Sequence, residues 1–134
     1  MIINLFLTCT TYAETISMQV YFDNERLEYG SSAEKVDNDY YLPYYELTSL
    51  FSYREGDGEI LMSRYGAELK ITFGSDIICV NGQPEPFTKP VYNDKDQNYI
   101  SLRLIAAIFG SNIAIDESDG TIKITLNQKP RGSF

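Results

Sequence analysis

The sequence contains no histidine and no tryptophan. The first absence removes the usual acid–base catalyst near neutral pH and the usual imidazole metal ligand. Cysteine is sparse: Cys9 and Cys79 lie far apart in unlike surroundings, so neither a zinc nor a redox motif can be assembled from them. Cys79, inside the apolar run Ile77-Ile-Cys-Val80, reads as a buried, inert thiol. A phosphate-cradling loop is missing too, because Gly56-Asp-Gly58 reads as a hairpin turn with no helix after it. Positive charge is short, with 11 Lys and Arg against 19 Asp and Glu and a formal net charge of −8. Such a surface repels phosphate backbones and anionic lipid, which argues against nucleic-acid and membrane partners.

The acidic residues do not compensate with chemistry. Asp37/Asp39, Asp94/Asp96 and Asp116/Glu117/Asp119 fall in expected turns, where water keeps carboxylates ionised instead of splitting their pKa values. Asp94-Lys-Asp-Gln-Asn98 places oxygen atoms at alternate positions, as a calcium loop does, but lacks the glycine at the sixth position and the distal glutamate. The expectation is a chain with no catalytic residues, no cofactor and no metal.

What is present is a folding pattern. The 134 residues suffice for one domain with a core of its own. Leu102 to Phe109 is apolar except at Arg103, Ser101 is a good N-cap, and Gly110 suits a left-handed stop. A helix so apolar calls for cover on most of its circumference, which predicts a mostly antiparallel sheet curled around it in an α+β fold. Arg103 reads as a snorkelling or hydrogen-bonded structural residue. A second, amphipathic helix is expected over Pro43-Tyr-Tyr-Glu-Leu-Thr-Ser-Leu-Phe51, with Glu46 favoured by the helix dipole.

Hairpins are expected around Asp23-Asn-Glu25, Asp37-Asn-Asp39, Asp57-Gly58, Arg64-Tyr-Gly66, Asn81-Gly82 and Asp116-Glu-Ser-Asp-Gly120. Gln83-Pro-Glu-Pro-Phe87 reads as an edge strand, because only an edge tolerates those prolines. Tyr41-Leu-Pro-Tyr-Tyr-Glu-Leu-Thr-Ser-Leu-Phe51 aligns without gaps on Tyr99-Ile-Ser-Leu-Arg-Leu-Ile-Ala-Ala-Ile-Phe109. The echo suggests two degenerate repeats within one domain.

Residues 1–13 carry no charge and end in Thr11-Tyr-Ala13 before Glu14, like the end of an export signal lacking its basic start. This predicts a signal remnant over 1–13, a domain over 16–126, a tail over 127–134, and a secreted or cell-surface location. The 11 tyrosines are the compositional excess. Tyr40, Tyr41, Tyr44 and Tyr45 bunch around Leu42-Pro43, and rings with polar tips suit protein or carbohydrate contact. Strand parity puts Tyr40 and Tyr41 on opposite faces, so at least one ring of the cluster is expected to be exposed.

The run Asp76-Ile-Ile-Cys-Val-Asn-Gly-Gln-Pro-Glu-Pro-Phe87, then Pro90-Val-Tyr92, Asn98 to Gly110, Ile113-Ala-Ile-Asp116 and Thr121-Ile-Lys-Ile124 resembles the copper amine oxidase N-terminal-like family, also called stalk domains. Ile115 stands where that pattern usually has Trp, and Tyr45 where a second Arg is usual. The resemblance implies a small α+β module of exported Gram-positive bacterial proteins, remote from any oxidase centre. Asn98-Tyr99 is followed by Ile100, so the signature of a self-processing cofactor tyrosine is missing. Two functions follow as expectations: a non-catalytic structural or binding module for a protein or cell-wall polysaccharide partner, or an acidic regulator or inhibitor docking on a basic protein.

Overall fold

The structure, a computed structural model, describes residues 17–128. The expected signal remnant over 1–13, with Cys9, and the end of the tail lie outside them. Among the described residues, thirteen strands form two sheets that share a core with one α-helix. In the eight-stranded sheet, β10 (Val91–Asp94) is followed by β11 (Gln97–Ser101), β4 (Asp39–Pro43), β3 (Ser32–Val36), β1 (Ser17–Phe22), β13 (Thr121–Leu126) and β12 (Gly110–Asp116). The short β2 (Glu25–Arg26) pairs on β1. The second sheet is a five-stranded antiparallel meander: β5 (Ser52–Gly56), β6 (Glu59–Arg64), β7 (Ala67–Thr72), β8 (Ile77–Val80) and β9 (Gln83–Pro86).

The expected hairpin turns are present. Asp23-Asn24, Asp57-Gly58, Tyr65-Gly66 and Asn81-Gly82 each hold both central residues at positive φ, as does Lys95-Asp96. Two-residue turns of this hand match the twist of the strands they join. Strand β9, with Pro84 and Pro86, lies at a sheet edge, where absent N–H groups interrupt no ladder. The large sheet is mixed, because β1 and β13 run parallel with Val20 opposite Ile122 and Phe22 opposite Ile124.

The helix α1 (Leu102–Phe109) forms as expected, and the Ser101 hydroxyl accepts the Leu104 N–H at 3.1 Å. It touches β4, β11, β12 and β13 of the large sheet and β7 of the meander, so it lies between them. Its cover is less complete than its composition suggests. Leu102, Leu104, Ile105, Ala106 and Phe109 are buried, whereas Arg103 and Ala107 are exposed and Ile108 is half-buried. Arg103 and the small Ala107 narrow the stripe that has to be buried to one face.

Two local expectations are corrected. Gly110 is extended at φ −122°, ψ 169°, and is not a left-handed stop. It needs to be glycine because α1 passes straight into β12 there, and a Cβ would stand 2.8 Å from the Thr125 carbonyl oxygen. The second helix over 43–51 is also absent. Pro43 continues β4 and pairs with Tyr99, and only a single 3-10 turn, Tyr44–Glu46, follows. So short a segment has little helical stability of its own, and the core claims its Leu47 and Phe51 in a tighter path. The Phe51 ring lies 4.9 Å from that of Phe109 and 6.5 Å from that of Phe22.

Candidate functional site

Strand β4 is internal to the large sheet, which decides the fate of its tyrosines. Tyr40 and Leu42 face α1, and Tyr40 is buried with its hydroxyl donating to the Glu117 carboxylate. Tyr41 points to the opposite face, yet it is buried as well. The Tyr92 ring packs edge-on against it at 5.1 Å, and the Tyr41 hydroxyl donates to the Lys89 carbonyl at 2.7 Å. Parity correctly separates the two rings but does not expose either, because the chain before β10 covers the far face. Tyr44 and Tyr45, on the 3-10 turn, keep part of their surface open.

Sheet register brings other tyrosines to this face. Lys95-Asp96 closes the β10–β11 hairpin so that Tyr92 lies directly opposite Tyr99, and their rings stack at 5.0 Å with 17° between planes. The Tyr92 hydroxyl donates to the Glu34 carboxylate on β3, and the Tyr99 hydroxyl reaches the Gln97 side-chain carbonyl at 3.4 Å. Around the corner, a second group of rings runs from Tyr29 to Tyr45 (5.5 Å), on to Tyr44 (5.9 Å) and then Tyr53 (5.6 Å, stacked). Tyr45 shares a hydrogen bond with Ser31 at 3.1 Å, and Tyr29 is 62% exposed at the outer end.

This band was only half legible. Tyr44 and Tyr45 belong to it, Tyr40 and Tyr41 serve the interior, and Tyr29, Tyr53, Tyr92 and Tyr99 were missed. The pairing of Tyr92 with Tyr99 follows from centring a two-residue turn on Lys95-Asp96, a signal available in the sequence. Joining Tyr29 to Tyr45 required the tertiary fold.

Burial is the first cause of the tyrosines' shifted acidity. It pushes Tyr41 up to about 12 and raises Tyr92 and Tyr53 further, with the Glu34 and Glu55 carboxylates holding the respective protons in place. Tyr99 and Tyr40 are raised for the same first reason. All five hydroxyls are therefore neutral donors at ordinary pH, and the band offers ring edges, ring faces and neutral polar tips.

Glu46, expected to complement a helix dipole, is instead buried and holds a loop. Its carboxylate accepts the Tyr29 N–H at 3.1 Å and the Ser31 N–H at 2.7 Å, which fixes the loop carrying Tyr29. Beside it lies a groove of about 520 Å³ lined by Phe22, Leu27, Glu46, Leu50 and Arg64, among others.

The metal-like spacing at Asp94-Lys-Asp-Gln-Asn98 is used for a hairpin. Asp94 pairs with Gln97, and the buried Asn98 accepts from the Asn93 side chain. Among the described residues there is no group of three Cys, Asp or Glu side chains placed to hold a metal ion, and the whole chain has no histidine. This donor set does not fit copper. Cys79 is half-buried on β8.

A family described as "Copper amine oxidase N-terminal domain" matches residues 46–124. No curated protein and no solved structure matches the chain.

Proposed function

The chain belongs to the copper amine oxidase N-terminal domain family, whose domain is a non-catalytic accessory unit, and from that premise we propose that it is a structural and binding module of an exported protein. The observation that carries the reading is the tyrosine band. Six partly or largely exposed rings, Tyr29, Tyr44, Tyr45, Tyr53, Tyr92 and Tyr99, are held by stacking, by Glu34 and Glu55, and by the loop that Glu46 anchors. Rigid rings of this kind bring contact area at small entropic cost, as recognition surfaces require. The partner class is a protein or a cell-wall polysaccharide, met outside the cytoplasmic membrane.

The test compares wild type with a Tyr29→Ser/Tyr45→Ser double variant as bait for a cell-surface fraction of the source organism, at low and high salt. Contact through the band predicts capture by wild type alone, with little loss in high salt. The charge of −8 favours a second reading, an acidic module docking on a basic partner, which predicts release by salt and indifference to the double variant. Export is tested by expression from the native frame. A cytosolic species retaining Met1 overturns it, and an N-terminus near Glu14 supports it.

We also read the two halves as copies of one unit. The reading is supported by Leu42 and Ile100, which correspond in the sequence echo and lie opposite one another across β4 and β11. It is supported too by equal hairpin registers, Glu34 with Tyr41 and Tyr92 with Tyr99.

A further inference from the structure

A second site lies away from the tyrosine band, on the α1 side of the large sheet. A groove of about 570 Å³ is lined by Lys35, Asn38, Tyr40, Arg103, Ile115 and Glu117. It concentrates two of the cations of a strongly acidic chain. Lys35 Nζ donates to Glu117 Oε2 at 2.9 Å, and the Tyr40 hydroxyl donates to the same oxygen. The ammonium also lies 5.8 Å from the Tyr40 ring centroid. Arg103 Nε donates to the Asn38 carbonyl at 3.1 Å and stands 3.9 Å from Asp39 Oδ1, so among the described residues only one of its five N–H donors is engaged in a hydrogen bond.

Glu117 lies outside the strands β3 and β4 and the helix α1 that carry these donors. It sits in the β12–β13 turn, which Asp116 shapes by accepting the N–H groups of Ser118 and Asp119 at 3.0 and 3.1 Å. Its side chain is 44% exposed and that of Lys35 is 30% exposed. An ion pair this open to water holds its partner weakly. The tyrosine hydroxyl, by contrast, belongs to a ring fixed in the core and stays where it is when Glu117 leaves.

We propose that Lys35, Tyr40 and Arg103 form a carboxylate-binding subsite for an acidic peptide segment, and that Glu117 is its intramolecular occupant. The occupant on the page indicates the ligand. It is a carboxylate at the start of a turn, with an isoleucine, Ile115, two residues before it at the end of β12 and lining the same groove. A peptide carrying an apolar residue and then Glu at that spacing presents the same two groups. The proposal does not depend on the tyrosine band, which remains a separate surface if this one fails.

The probe is a fluorescein-labelled, end-blocked Gly-Ile-Gly-Glu-Gly peptide and its Gln twin, titrated with the whole chain and read by anisotropy. Glu117→Ala, at an exposed turn, removes the competitor and should tighten binding of the Glu peptide about fivefold, the gain expected when an exposed ion pair no longer has to be broken. Adding Tyr40→Phe or Arg103→Gln to Glu117→Ala should abolish that gain, while the Gln twin binds neither protein. Equal affinities of wild type and Glu117→Ala, or equal binding of the two peptides, overturns the proposal. So does displacement of the peptide by inorganic phosphate at lower concentration than by acetate, which marks an undiscriminating anion patch.

Discussion

Gly110 and Thr125 approach so closely that a Cβ on the first would stand 2.8 Å from the carbonyl oxygen of the second, and 3.1 Å from that of Ala106. Both obstacles are backbone, one at the end of α1 and one on β13, and neither can turn aside as a side chain could. Gly110→Ala should therefore destabilise the chain by about 1–3 kcal/mol, the usual cost of overpacking, without any change in turn geometry. Chemical denaturation measures it, and an unchanged midpoint would show that the helix-to-strand junction has room to relax.

The partial cover of α1 separates two neighbouring isoleucines. Ile105 is fully buried, so Ile105→Ala should cost about 2–5 kcal/mol. Ile108 is half-buried and packs only at the margin of the core, so Ile108→Ala should cost about 1 kcal/mol or less. Equal losses in parallel denaturation curves would mean that the helix is wrapped on both sides after all.

The raised tyrosines set an alkaline limit. Tyr41 titrates at an ordinary value of 10.0 when unfolded and near 12 when folded, and Tyr40, Tyr53, Tyr92 and Tyr99 shift in the same direction. A folded value above the unfolded one means that the unfolded chain loses protons first as pH rises. The stabilisation is complete below about pH 10 and is lost as pH climbs through the folded values. Denaturation midpoints should be level on the alkaline side until about pH 10 and then fall steeply. Ultraviolet titration of the native chain should show these five tyrosines ionising late, as the chain unfolds. A single normal transition for all 11 would contradict the burial of these hydroxyls.

The parts of the fold that were legible are those governed by local physics. Asn81-Gly82 and Asp57-Gly58 announce their hairpins because few residues accept positive φ, and Pro84 and Pro86 announce an edge because they lack N–H groups. The errors lie where tertiary contacts outvote local preference. At Tyr44 to Phe51, helix spacing was present, but Pro43 is held in β4 and Glu46 turns inward to satisfy Tyr29 and Ser31. At Gly110 the usual reason for a glycine after a helix gave the wrong answer, since its cause is a strand that approaches from elsewhere in the chain. The candidate contact surface suffered in the same way. Strand parity put Tyr40 and Tyr41 on opposite faces and suggested that one of them is open, and no sequence pattern reveals that β4 is covered on both faces.

The pairing of β1 with β13 has a mechanical meaning. These are the first and last described strands, they lie side by side, and they run parallel from Gln19 opposite Thr121 to Phe22 opposite Ile124. Tension entering before Ser17 and leaving after Leu126 pulls them in opposite directions along their common axis. Every bond between them is then loaded at once, including the Gln19 N–H to Gly120 and the Asp23 N–H to Ile124, while the Asp23 carboxylate clasps the Leu126 N–H at 2.8 Å. Pulling on Gly110 and Leu126 instead would open the β12–β13 hairpin one pair at a time. Single-molecule stretching should find the first geometry the stronger, and equal rupture forces would deny it. A domain tied in this way resists being drawn out along its own chain, so it can carry a load between whatever precedes it and whatever follows.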